Sequence, residues 1–213
     1  MTHSPDPLPR LIHVHDPMCS WCWAFRLVWA QLRAQLPATL TVQRRVGGLA
    51  PDSDLPMEPA MQAKLQAIWR SIELRVPGTR FNHDFWTRCT PRRSTYPACR
   101  AVLLARQMNP DTEEAMVQAI QEAYYLQARN PSDTSTLVAL AESLGLDAAA
   151  FDAALSSPAL DEALHAELAA VRRLPIQGFP SLVLQTARGV YPIALDYLDA
   201  APMLQQIEVA LKA

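Results

Sequence analysis

A pair of cysteines separated by two residues, at the junction of a predicted strand and a predicted helix, constrains the fold of this chain more than any other feature. Residues 11–15 form a short run of apolar and β-branched side chains that ends at Asp16-Pro17, which is typical of a strand. Apolar residues then recur at helical spacing over residues 23–36, and Pro37 ends that pattern. The segment Cys19-Ser20-Trp21-Cys22 lies between the two. The dithiol is therefore predicted to open a helix directly after a strand.

A cysteine pair with this spacing has three interpretations: a redox dithiol, half of a zinc site, or structural thiols. A zinc site needs two further soft ligands, and Cys89 and Cys99 could be nominated, but they stand ten residues apart, where two to four intervening residues are usual. The start of a helix favours the redox interpretation, because unpaired N–H groups and the helix dipole stabilise a thiolate on Cys19. Cys22 lies one turn further into the helix, where it is sheltered and can attack a mixed disulfide formed at Cys19. We therefore expect Cys19 to be the exposed nucleophile and Cys22 the resolving thiol.

The other two cysteines receive structural interpretations. Cys99 is expected to be a buried, small apolar side chain, and Cys89 a free thiol. A disulfide between them is the alternative, which the sequence alone does not test.

The order of the remaining elements places helices between two β-containing segments. Residues 39–46 form a second strand, and residues 181–193 form a hairpin that is followed by a helix over residues 203–211. Between them, helical periodicity runs through the chain and strand-like alternation is missing. The predicted architecture is α/β, in the order βαβ, a large all-helical insertion between the second and third strands, and then ββα.

This order also gives a domain division. We expect residues 1–48 and 176–213 to form one domain, with residues 49–175 inserted as a helical domain. The first helix of the insertion carries an apolar stripe at helical spacing, and such stripes usually belong to the core. We therefore expect a buried row formed by Met61, Leu65, Ile68, Trp69 and Ile72.

The tripeptide Gly178-Phe179-Pro180 stands just before the hairpin and carries the second functional signal. A cis bond between Phe179 and Pro180 is expected at this place, which would leave the Phe179 backbone free to pair with an extended substrate. Gly178 is expected to permit a close approach that a Cβ would block. A proline that merely begins a strand is the plainer alternative.

Composition excludes some classes of partner. The formal net charge of −2 over 213 residues does not provide the basic surface that nucleic-acid binding requires. No apolar stretch is long enough to cross a bilayer, and residues 1–10 contain three prolines and no apolar leader pattern. From these features we expect a cytoplasmic protein that binds neither nucleic acid nor membrane.

The residues described above, together with several others, indicate a resemblance to a known family. The chain resembles the DsbA-like family of the thioredoxin fold, and within it the cytoplasmic FrnE-like branch, which is related to kappa-class glutathione transferases and 2-hydroxychromene-2-carboxylate isomerases. The similarity spans residues 11–211 and rests on these residues and motifs: Asp16, the C-x-W-C core, the segment 94–100, Ala123-Tyr124-Tyr125-Leu126 with Asp133 and Leu137, Gly145-Leu146-Asp147, and Gly178-Phe179-Pro180. The resemblance implies a thioredoxin fold and dithiol–disulfide exchange.

Two positions depart from the pattern of this resemblance. His13 stands six residues before Cys19, where many thioredoxins carry a buried carboxylate that serves proton transfer to the resolving thiol. Trp21 precedes Cys22, where strong oxidants of the DsbA type carry a histidine. Trp21 is an uncharged N–H donor, so the sequence predicts a potential of roughly −250 to −160 mV, between the thioredoxin and DsbA extremes.

The sequence thus predicts a thiol–disulfide oxidoreductase, which acts as an oxidase, reductase or isomerase on protein or peptide thiols and disulfides. It would need no cofactor or metal beyond its own dithiol, with glutathione as a candidate co-substrate. The alternative is a glutathione-dependent transferase or isomerase of the kappa type, whose members usually have serine in place of the first cysteine and lack the second. A third alternative is a holdase with an apolar groove. Beside the catalytic Cys19 and Cys22, the predicted substrate-binding residues are Met18, Ser20, Trp21, Phe179 and Pro180.

Overall fold

A four-stranded mixed sheet forms the centre of the computed structural model, which describes residues 9–212. The strand order is β2-β1-β3-β4; β2 runs parallel to β1, while β3 is antiparallel to both β1 and β4. The bounds of the strands are β1 Arg10–His15, β2 Thr41–Val46, β3 Ser181–Gln185 and β4 Val190–Ile193.

Nine α-helices surround this sheet in the described part of the chain, and seven of them lie between β2 and β3. The predicted thioredoxin fold with a helical insertion between the second and third strands is therefore confirmed. The short helix α3 and a 3-10 turn at Pro110–Thr112 were not predicted. The helices are α1 Ser20–Gln35, α2 Pro59–Arg75, α3 Phe85–Arg88, α4 Tyr96–Met108, α5 Glu113–Tyr125, α6 Thr134–Ser143, α7 Ala148–Leu155, α8 Pro158–Val171 and α9 Ala201–Lys212.

Alternation along β1 divides the core between the two faces of the sheet. Ile12 and Val14 pack with Val171 of α8 on one face. Leu11 points to the other face, where the apolar sides of α1 and α9 cover the sheet. The central strand is therefore covered by helices on both sides.

A third apolar cluster fills the helical insertion and continues into the segment that carries the dithiol. Met18, Trp23 and Val46 pack together with Trp69 and with many apolar side chains of α4 to α8. The division of the chain into domains at residues 48 and 176 stays a prediction, and residues 1–8 of the first segment lie outside the described part. No helix within residues 9–212 is both long and apolar enough to cross a membrane.

Buried ionic contacts fix the insertion to the edge of the sheet. The carboxylate of Glu167 on α8 accepts hydrogen bonds from the Val46 N–H at 3.0 Å, from Arg45 at 3.1 Å and from Arg106 at 2.8 Å. Because the carboxylate is almost completely buried, removal of a donor would weaken the compensation of a buried charge and cost stability. These contacts hold β2 against α4 and α8, and so set the position of the loop that follows β2.

Candidate active site

The dithiol lies at the corner where β1 passes into α1, as the sequence predicts. Cys19 occupies the N-cap position with an extended backbone, and its N–H donates to the carbonyl of Asp16 at 3.0 Å. Its own carbonyl accepts the first intrahelical bond, from the Trp23 N–H at 3.0 Å. The Cys19 side chain makes no capping hydrogen bond, but its place at the start of α1 is the positive end of the helix dipole, where negative charge is stabilised.

The two sulfurs border different spaces. Cys19 lines a groove of about 280 Å³, whereas Cys22 lines a separate cavity of about 550 Å³. Both cysteines are free, and their exposed fractions are nearly equal, 7 % for Cys19 and 5 % for Cys22. The expectation that Cys19 is exposed is therefore wrong. The two thiols are buried to nearly the same extent, and they differ only in the space that each one borders. A substrate in the groove can reach Cys19 first.

The surroundings of Cys22 favour its protonated form. Burial raises the pKa of the Cys22 thiol well above its usual value, and hydrogen bonding to Cys19 and the charge of Cys19 raise it further. A thiol held protonated beside a second sulfur can donate to that sulfur when the latter is a thiolate. This arrangement fits a resolving cysteine, which stays protonated and unreactive while the first cysteine attacks.

Phe179 forms the opposite wall of the groove. The Cys19 thiol donates a hydrogen bond to the Phe179 carbonyl at a sulfur–oxygen distance of 3.4 Å. The bond between Phe179 and Pro180 is cis, as predicted. Pro180 itself is buried and does not line the groove, so of the tripeptide only Phe179 faces the space beside Cys19.

The glycine that permits this close approach is Gly47, and the expectation placed on Gly178 is wrong. A Cβ added at Gly178 meets no heavy atom within 4 Å. A Cβ added at Gly47 would lie 2.2 Å from the Cε1 and Cζ atoms of the Phe179 ring. The loop after β2 therefore needs a glycine because the Phe179 side chain packs directly on its backbone.

Met18, Ser20 and Trp21 line the same groove, next to the reactive sulfur. Ser20 is almost buried, and its hydroxyl oxygen accepts a hydrogen bond from the Trp69 indole at 3.0 Å. Trp21 is half-buried, with its ring edge-on to Tyr197 at a centroid distance of 5.0 Å. Four of the five predicted substrate-binding residues thus face the groove, and Pro180 does not.

The far side of the groove comes from α2, where sequence reasoning expected core. Trp69 and Ile72 are buried as expected, but Met61, Leu65 and Ile68 are half-buried and line the groove. Helical periodicity does not distinguish an apolar stripe facing a core from one facing a cleft, which explains the error. The remaining groove residues that sequence reasoning missed are Leu49, Met57, Lys64, Arg92, Arg93, Ser94, Thr95 and Tyr124.

Asp16 is a fully buried carboxylate that ties three segments together beneath Cys19. It accepts hydrogen bonds from the Met18 N–H at 2.8 Å, the Leu49 N–H at 2.7 Å and the Thr95 hydroxyl at 2.7 Å. Burial raises the pKa of Asp16, and these hydrogen bonds oppose that shift. Sequence reasoning identified Asp16 only through the family resemblance. Its hydrogen-bond donors at residues 49 and 95 are distant in sequence, so the residues next to Asp16 do not predict them.

The remaining cysteines lie away from the groove. Cys99 is buried as expected, with its sulfur 3.6 Å from the Asp16 carboxylate, and burial raises the pKa of its thiol. Cys89 is a free thiol that donates to the Ala128 carbonyl at 3.0 Å, so it forms no disulfide with Cys99. Within residues 9–212, no three side chains of His, Cys, Asp or Glu are grouped to hold a metal ion, so the zinc interpretation lacks its ligand set.

The family model described as "DSBA-like thioredoxin domain" matches residues 10–201, which include both cysteines, Phe179 and the whole insertion. The chain belongs to this family. The DSBA-like domain is similar in structure to a candidate protein disulfide isomerase from Nitrosomonas europaea, with a TM-score of 0.83 and 28 % identity over 96 % of this chain and 98 % of the other. The cytosolic disulfide reductase DsbM from Pseudomonas aeruginosa gives a TM-score of 0.74 with 26 % identity, over 95 % of this chain and 98 % of that one. DsbM has also been solved with GSH.

Among curated proteins, the DSBA-like domain is similar to the ClpXP adapter protein SpxH from Halalkalibacterium halodurans. The two share 23 % identity over 172 residues, which is 79 % of this chain and 56 % of the relative. The matched segment therefore spans little more than half of the length of that relative.

Proposed function

We propose that this DSBA-like domain is a thiol–disulfide oxidoreductase in which Cys19 attacks and Cys22 resolves. The observation that carries the proposal is that Cys19 borders the groove while Cys22, behind it, does not. Family membership supports the oxidoreductase class, and the helix start supports a thiolate on the first sulfur.

The proposed reaction transfers two electrons. The Cys19 thiolate attacks one sulfur of a substrate disulfide, that S–S bond breaks, and the departing sulfur leaves as a thiolate that takes up a proton. Cys22 then loses its proton and attacks the Cys19 sulfur of the mixed disulfide, which releases the second substrate thiol. The substrate is reduced to two thiols, and Cys19 and Cys22 are oxidised to a disulfide; the reverse sequence oxidises a dithiol.

The groove suggests what the substrate presents to Cys19. An extended segment laid along Phe179 can use its backbone groups, while Met61, Leu65 and Ile68 offer an apolar surface for its side chains. Lys64 and Arg93 are exposed at the same groove and would attract carboxylates. Protein or peptide disulfides and glutathione both fit this description, and the structure of DsbM with GSH supports glutathione as a co-substrate.

The dithiol supplies the redox chemistry, so the proposal includes no further cofactor. The similarity to DsbM, a cytosolic disulfide reductase, supports a cytoplasmic location for this chain. A reducing compartment keeps such a pair in the dithiol form until a substrate disulfide arrives.

Trapping of the mixed disulfide tests this function. Cys22→Ser should accumulate a covalent adduct with a peptide disulfide, seen by intact-mass spectrometry, because the resolving thiol is gone. Cys19→Ser should form no adduct, and Cys89→Ser should turn over as the unmodified protein does. Full glutathione-transfer activity in Cys22→Ser would instead support the transferase alternative, since that chemistry needs no second thiol.

A further inference from the structure

The cavity behind Cys22 is separate from the groove, and two buried histidines line it. Its volume is about 550 Å³, within the range of about 300–1,000 Å³ that is common for small-molecule sites. His13 and His15 project from the same face of β1 to line it, and Phe25 and Trp29 of α1 provide aromatic walls. The His13 ring lies against Trp29 at a centroid distance of 4.4 Å.

The ring nitrogens of these two histidines are buried and have no hydrogen-bond partner among the described residues. His13 is 8 % exposed and His15 is 2 % exposed, yet all four ring nitrogens are without a hydrogen-bond partner among the described residues. Buried polar groups are rarely left in this state, because each one loses its hydration without compensation. Both rings line the same cavity, but their nitrogens are closed to solvent in this arrangement, so a ligand there supplies the missing partners only when the rings turn toward it.

Arg26 is a second polar group at this cavity, and its positive charge has no ion-pair partner among the described residues. Its guanidinium is half-buried at the same cavity, over the Trp23 ring at 3.3 Å from the centroid, and it donates to the Trp23 carbonyl at 2.7 Å. It forms no ion pair with any carboxylate that the structure describes, whereas Arg33 and Arg44, which also line the cavity, both pair with Glu114. Burial lowers the pKa of Arg26 to about 10, and the charge of Glu122 opposes that shift.

Three arginines (Arg26, Arg33 and Arg44) and two glutamates (Glu114 and Glu122) line the cavity, so the charge of its lining favours an anion over a cation. Burial is the largest cause of the lowered pKa of both rings; Arg44 and Arg33 lower the pKa of His13 further, and Arg44 and Arg106 lower that of His15. Glu167 acts on His15 in the opposite direction. Neutral imidazoles can still donate one hydrogen bond each to an anionic or neutral oxygen.

We propose that this cavity binds a small organic carboxylate with a flat apolar body. The carboxylate pairs with Arg26, the body lies against the stacked rings of Phe25 and Trp29, and the imidazoles of His13 and His15 bind polar atoms of the ligand at the floor. The site is distinct from the groove at Cys19 and does not depend on the proposed redox function, because Cys22 only forms part of its wall.

Calorimetric titration of the reduced protein with 2-naphthoate tests the proposal, with 2-naphthamide as an uncharged ligand of the same shape. The acid should bind roughly tenfold more tightly than the amide, the difference expected for one charge-assisted hydrogen bond. Arg26→Met should remove that difference, and Arg26→Lys should retain part of it. Arg70→Met, which removes an exposed arginine from α2 outside the cavity, serves as the matched control and should bind like the unmodified protein.

Ring resonances of His13 and His15 provide a second measurement that does not need a variant. They should shift on addition of 2-naphthoate. Equal affinity for acid and amide, undiminished acid binding by Arg26→Met, or unshifted imidazole resonances at saturating ligand would each overturn the proposal.

Discussion

The thiol of Cys19 donates to the carbonyl oxygen of Phe179, so the first residue of the dithiol and the segment just before the third strand meet across 160 positions of sequence. The ring of the same Phe179 rests on the backbone of Gly47. Three segments that are distant in sequence therefore define one wall of the groove.

Gly47→Ala should impair this wall. The new Cβ would lie 2.2 Å from the Phe179 ring, so the ring must move away from its place beside the groove. We expect slower exchange with a peptide disulfide, while reduction of the oxidised protein by dithiothreitol changes much less. Gly178→Ala is the matched control and should react like the unmodified protein, because its Cβ enters open space. Equal rates for both variants would show that the Phe179 position does not matter to exchange.

Thr95→Val should destabilise the fold by about 1–3 kcal/mol, the usual cost when a buried polar group loses a partner. The Thr95 hydroxyl donates to the buried Asp16 carboxylate at 2.7 Å and accepts from the Ala50 N–H at 3.1 Å, and valine can do neither. Thr95→Ser keeps the hydroxyl and should lose less stability. Urea unfolding at neutral pH measures the difference. Equal stability of the two variants would argue against a structural role for the Asp16 contacts.

Acid should weaken the fold through His15. Its pKa is about 4 in the folded protein against 6.5 ordinarily, because it is buried and near Arg44. Between these values the unfolded chain binds more protons, so this contribution is fully present above pH 6.5 and is lost as the pH falls toward 4, by about 3 kcal/mol. Asp16, whose pKa is raised, acts in the opposite direction at the acidic end.

Comparison of the unmodified protein with His15→Gln isolates this contribution. The free energy of unfolding, measured by urea denaturation at several pH values between 6.5 and 4.5, should fall more steeply in the unmodified protein. Parallel curves would mean that His15 titrates normally in the folded state.

Trp21→His should make the dithiol more oxidising. A histidine cation next to the Cys19 thiolate would stabilise the reduced form, and each 1.4 kcal/mol of such stabilisation raises the potential by about 30 mV. Equilibration with glutathione should give roughly −250 to −160 mV for the unmodified protein and a higher value for the variant. Trp21→Phe controls for loss of the indole. A value near −120 mV for the unmodified protein would reveal another group that stabilises the thiolate.

The sequence predicted those parts of the site that depend on local patterns. The strand before Asp16, the helix after Cys19 and the hairpin after Pro180 each follow from spacing and turn residues within a short window. The family resemblance joined these elements into the correct fold.

Contacts between distant segments escaped the same reasoning. Met61, Leu65 and Ile68 have the spacing of core residues, and only the position of α2 over the dithiol leaves them in a groove. The sequence does not distinguish Gly47 from Gly178 as the glycine that a close contact requires. Only the packing of the Phe179 ring shows that this glycine is Gly47. The buried imidazole of His13 belongs to a cavity whose other walls come from α1, β2 and α5.

Competitive alkylation tests the central claim most directly, because it asks which sulfur reacts first. The reduced protein is treated with limiting iodoacetamide near neutral pH, and the adducts are mapped by peptide mass spectrometry over time. The account predicts that Cys19 is labelled first, because it borders the groove, and that Cys22 and Cys99 are labelled slowly, because burial raises the pKa of both thiols. Preferential labelling of Cys22 or Cys89 would contradict the assignment of Cys19 as the attacking sulfur.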